Sequence, residues 1–168
     1  MKKCILLLFL LGFLGSCHTE DTALSEPQTE YRPVLANRED LDKLIHIKSA
    51  QPIKQKGKIY FKNNFIFLVE PQQGIHIIDN RRPEEPHQIG FIEIPACVDV
   101  AAKGNILYAD NATDLVLIDI SNPFSPKLIK RLPNVFPDLL PPDNGSIPEI
   151  YTPAKRPKNT VIIRWEKP

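Results

Sequence analysis

The chain repeats itself, and that repeat limits what it can fold into more than any other feature. Gly74-Ile75-His76-Ile77-Ile78-Asp79 returns forty residues later as Asp114-Leu115-Val116-Leu117-Ile118-Asp119. Pro83 and Pro86 return at the same spacing as Pro123 and Pro126, and Ile89 returns as Ile129. Upstream, Asn63-Asn64 aligns with Lys103-Gly104, and Ile66 and Leu68 align with Ile106 and Tyr108, without an insertion. Each copy reads as one structural unit that cannot bury its apolar face alone and must stack on a neighbour.

Within each unit the apolar and β-branched residues fall into four short runs. They are Lys58 to Phe61, Phe65 to Glu70, Gly74 to Asp79 and His87 to Ile94, then Val98 to Ala102, Asn105 to Ala109, Leu115 to Ile120 and Lys127 to Leu132. The 17 prolines argue against long helices, because proline breaks helix interiors and central strands alike. Four strands in about 40 residues make the blade of a β-propeller. The predicted fold is all-β, a partial β-propeller-like array of two four-stranded blades at 57–96 and 97–136. The third run of each unit is nearly continuous in apolar residues, which predicts burial on both faces.

The flanks have a different character. Lys2 and Lys3 precede an eleven-residue apolar stretch, Cys4 to Leu14, too short for the ~20 residues of a bilayer span. It ends in Leu14-Gly15-Ser16-Cys17, which resembles the bacterial lipobox. The resemblance implies a lipoprotein signal peptide at 1–16, cleavage before Cys17, and lipid on the Cys17 sulfur. Several acyl chains hold firmly where one binds only reversibly. Residues 17–37 are polar, contain Pro27 and Pro33, and read as a tether. At 38–56, Glu39 and Asp40 precede Leu41, Leu44 and Ile45, which predicts a short helix capped by Asn37 and then a strand as lead-in. Residues 137–168 form a proline-rich segment ending in a strand, Thr160 to Trp165, expected to dock on an open blade edge.

Charge and cysteines narrow the function classes. Loss of Lys2 and Lys3 turns the formal net charge of +1 into −1, with no polybasic patch to attract nucleic acid. Cys4 leaves with the signal and Cys17 is lipidated, so Cys97 has no partner for an intramolecular disulfide. It lies in the apolar run Ile94 to Val100 and reads as a buried structural thiol.

The search for chemistry yields no catalytic residue, no metal site and no cofactor motif. Asp79 and Asp119 end their strands four residues before a proline, where a carboxylate fixes a turn by accepting backbone N–H groups. They and Pro83, Pro86, Pro123 and Pro126 are repeat-defining, structural positions. Asp110-Asn111-Ala112-Thr113-Asp114 lacks the central glycine and terminal glutamate of a calcium loop, and reads as a solvated turn. His18, His46, His76 and His87 have no metal-ligand spacing; His76 is expected to find a local hydrogen bond.

A family is recognisable in these residues. Leu115-Val116-Leu117-Ile118-Asp119, followed by Ile120-Ser121-Asn122-Pro123 and Pro126, resembles the LVIVD repeat, which builds propeller-like lipoproteins common in Bacteroidetes. Ile75 to Asp79, with Asn80, Pro83 and Pro86, is a looser copy in which His76 replaces an aliphatic residue. The resemblance extends over most of Gln51 to Pro137 and includes the ending Asn159 to Trp165. Similar lipoproteins carry an acidic surface-export signal after the cysteine, which Glu20-Asp21 resembles, and Asp21-Thr22-Ala23 resembles their O-glycosylation site at Thr22. The resemblance implies an architecture and a location in the cell envelope, at the outer membrane with either a periplasmic or a surface-facing orientation, but no activity.

Relatives usually carry more than two repeats. Three explanations fit: the flanks complete a partial third unit, chains pair through open blade edges, or the chain is the truncated N-terminal part of a longer relative. The last is favoured here. The expected function is a non-catalytic module on the membrane through Cys17 lipid, with a protein or glycan partner and no nucleic acid. The alternatives are an extracellular carbohydrate- or protein-degrading enzyme, for which Glu70, Asp79, Asp110, Asp114 and Asp119 are the available carboxylates, and a truncated, non-functional copy of a longer propeller lipoprotein.

Overall fold

A computed structural model describes residues 29–168. The expected signal peptide, Cys17 and Thr22 lie outside the described residues. The strands are β1 (Arg32–Asn37), β2 (His46–Lys48), β3 (Ile59–Lys62), β4 (Phe65–Glu70), β5 (Gly74–Asp79) and β6 (His87–Glu93). They continue as β7 (Val100–Lys103), β8 (Ile106–Asn111), β9 (Asp114–Asp119), β10 (Lys127–Leu132) and β11 (Thr160–Glu166). A 3-10 helix, Arg38–Leu44, follows β1, and another, Glu149–Tyr151, precedes β11.

The fold is all-β, with each repeat unit an antiparallel meander. The first sheet has the order β2-β6-β5-β4-β3 and the second β10-β9-β8-β7. Tight turns set the hairpins: Asn63 and Asn64 both have positive φ, as a two-residue turn between twisted strands requires. In the second unit the turn is Gly104-Asn105, with Lys103 still in β7, so the expected Lys103-Gly104 turn is displaced by one residue. Each unit carries a β-bulge in its last strand, and the extra residue is Ile89 in one and Ile129 in the other.

The repeat is not free of insertions. β5 and β9 correspond at an offset of forty, but Asp79 pairs with Phe65 whereas Asp119 pairs with Ile106. The preceding strands therefore correspond one residue further on: Phe65 with Ile106, and Phe67 with Tyr108. The cause is the turn, which holds Pro71, Gln72 and Gln73 in the first unit and only Ala112 and Thr113 in the second.

The two sheets pack face to face over one core. Phe67, Val69, Ile75, Ile77 and Ile92 of the first sheet meet Val100, Leu107, Ala109, Val116 and Ile118 of the second. Apolar burial at about 25 cal/mol per Å² supplies the main driving force for this stacking. In β5, consecutive Ile75, His76 and Ile77 are all buried, so that strand is covered on both faces. β9 departs from expectation: Val116 and Ile118 are buried while Leu115 and Leu117 are half-buried, because nothing covers its outer side as fully.

The flanks depart further. The tether expected to run to residue 37 ends before β1, which pairs antiparallel with β11 in a sheet of its own. β11 thus docks on the N-terminal flank rather than on a blade edge. With the 3-10 helix, this ribbon closes one end of the stack through Leu41, Val161 and Ile163 over Ala96 and Ala112.

Candidate functional site

Each carboxylate singled out in the sequence has an occupation. Asp79 accepts from the Arg81 backbone N–H at 3.0 Å, and Asp119 accepts from Ser121 N–H at 2.8 Å. Behind each stands a turn with proline at its second position, Arg82-Pro83-Glu84-Glu85 and Asn122-Pro123-Phe124-Ser125, closed by Glu85 N–H to Arg82 O and Ser125 N–H to Asn122 O. The Arg81 guanidinium holds the Asp79 carboxyl down to about 2.

Asp110 fixes the crossover between units by accepting both Val98 and Asp99 N–H groups, at 2.9 and 2.8 Å. Burial nevertheless raises its carboxyl above the usual range. Cys97 lies beneath it, fully buried, and burial with the nearby Asp110 charge pushes the thiol well up. Glu70 is buried at the far end of β4 and binds His76 Nε2 at 2.7 Å. His76 thereby has the local partner expected, though its Nδ1 has none.

Asp114 corrects the reading of 110–114 as a solvated turn. Its side chain is fully buried and binds Arg38, Arg131 at 3.2 Å and the Asn134 N–H at 3.0 Å. Arg38 also donates to Thr113 Oγ1 at 2.9 Å. Burial alone would raise this carboxyl, but the Asn134 N–H and the two guanidiniums outweigh it and hold it low. A cleft of about 390 Å³ opens beside this hub. Its arginines, Arg38 and Arg156, are already paired with Asp114 and Asp138. Among the described residues, no three His, Cys, Asp or Glu side chains are placed to hold a metal ion.

The outer side of the second sheet is largely apolar. Ala101, Ile106, Tyr108, Leu115, Leu117 and Leu132 share one face there by register with exposed Lys130 and buried Asp110; Ala101 is exposed and the other five apolar residues are half-buried. Sequence reasoning left this face unassigned, because which side of β8 points outward follows from the shortened turn at Ala112-Thr113.

A family model described as the LVIVD repeat matches residues 96–132. The chain carries an LVIVD repeat. The match covers the second unit, from the crossover to the end of β10. No curated protein matches the chain, and no solved structure does. The LVIVD unit is thus a four-stranded propeller-like blade, and the segment from β3 to β6 is a second copy of that architecture.

Proposed function

We propose that this chain is a non-catalytic interaction module held on the cell envelope by lipid on Cys17. The observation that carries the reading is the open outer face of the LVIVD unit. A half-buried sheet face built from Ile106, Tyr108, Leu117 and Leu132, with exposed Lys130 among them, is more apolar than an ordinary solvent-facing strand needs to be, which supports a contact surface. The candidate carboxylates, by contrast, are spent on turns, the crossover and the Asp114 hub. That favours binding over hydrolysis.

Two measurements test the two halves. Cys17→Ala should move the chain from the membrane fraction to the soluble fraction and abolish incorporation of labelled fatty acid. A photo-crosslinking amino acid in place of Tyr108 should give a defined adduct in intact cells, and the same group at exposed Lys54 should not. Absence of any Tyr108 adduct refutes the interaction reading.

A further inference from the structure

We infer that the partner of this open face is a second copy of the chain, docked head to tail; this rests on the interaction reading above and names its partner. The argument starts from register. The first unit buries Tyr60, Phe65, Phe67, Ile75, Ile77 and Ile92 against the second. Their counterparts in the second unit, with the one-residue shift in β7 and β8, are Ala101, Ile106, Tyr108, Leu115, Leu117 and Leu132. Those are the open face. Two positions differ, since Val69 and Gly90 of the buried face correspond to Asp110 and Lys130. The stacking is heterologous: equivalent faces point the same way, and the second unit presents an apolar counterpart of most of the surface that the first has already buried.

The complementary surface is present too. Val100, Ala102, Leu107 and Ile118, which receive the first unit, correspond to Ile59, Phe61, Ile66 and Ile78 on the outer side of the first sheet. Ile59 is 68% exposed and Phe61 58%. The rest of that side, at Leu68, His76 and Phe91, is buried. Residues 49–58 run from β2 at one edge to β3 at the other and must cross there, since the inner side is filled by the second sheet. The uncovered half lies at the end bearing the Arg82–Glu85 turn.

Charge agrees with the same register. Phe124, on the second unit's turn, packs edge-on against Phe65 of the first at 6.1 Å. The counterpart of Phe124 is Glu84, and that of Phe65 is Ile106, which lies between Lys103 and Asp119, with Lys127 beyond. A second copy docked the same way brings exposed Glu84 to a row in which Lys103 and Lys127 outnumber Asp119.

The test uses the full chain in density-matched detergent, followed by sedimentation velocity. Phe61→Asp blocks the first unit's outer side and Ala101→Arg blocks the second's; both positions are exposed, and far-UV circular dichroism checks that each variant folds. Wild type should sediment at twice the monomer mass or more, rising with concentration. Each variant alone should be monomeric, and their equimolar mixture should form a 1:1 dimer through the one intact pair of faces. A monomeric wild type, undiminished association of Phe61→Asp, or a mixture that stays monomeric would overturn the inference. Monomeric wild type whose Tyr108 adducts contain a different protein would leave the interaction reading standing and remove only the second copy.

Discussion

Asp114 shows how a single side chain changes meaning between sequence and fold. It sits at the repeat position of Gly74, beside a turn, and looks solvated until Arg38 arrives from 76 residues away. Asp114→Ala would leave Arg38 without its anion and Arg131 with Asp42 alone, and should cost about 3 kcal/mol in urea unfolding. The pH dependence has a definite sign. A carboxyl lower in the fold than in the unfolded chain stabilises above the ordinary value of about 3.9 and loses that contribution as pH falls through its folded value. Asp114→Asn should therefore flatten the acid limb of the stability curve. Asp110 acts in the opposite sense: its raised carboxyl contributes below the unfolded value, and that contribution fades as pH rises. Cys97, buried with its thiol pushed up, should resist a disulfide reagent at pH 8 in the native chain and react once denatured, as peptide mapping would show.

Turns decide the faces of the strands. Gly74 has φ +146, and a Cβ there would lie 2.0 Å from the Ile92 carbonyl oxygen. Gly74→Ala should cost at least about 2 kcal/mol, whereas Gly104→Ala, with open space around it, should cost only about 1 kcal/mol. The counterpart Asp114 tolerates a side chain because its turn is one residue shorter and the strand enters in another register. That shift was not legible in the sequence: Phe65 to Val69 is apolar throughout, so sliding it by one residue still places apolar against apolar. The four runs per unit, their order and the proline-marked turns were legible, because each depends on residues close in the chain.

The stack and its cap form one cooperative body. The β1–β11 ribbon joins segments more than a hundred residues apart and covers Ala96 and Ala112, two turn alanines with positive φ. Val161→Asp would bury a charge with no partner and should lower stability by at least about 3 kcal/mol. Calorimetry should still show a single transition at lower temperature, because the ribbon, the Arg38–Asp114 pair and both sheets share buried contacts. The β1 half of the ribbon reads as tether in the sequence because Arg32–Asn37 contains Pro33 and little periodicity, and its partner strand, legible at Thr160 to Trp165, lies at the other end of the chain.

What the linear order determined was the material of the fold: two like units, four strands in each, turns held by aspartate and proline, and a buried thiol. These follow from interactions within a few residues, which composition and spacing encode directly. The tertiary structure alone decided which faces meet, which remain open, and which charges disappear from water. Those outcomes turn on a one-residue difference in a turn and on contacts across long stretches of chain, where the energy lies in the meeting of segments that carry no mark of each other.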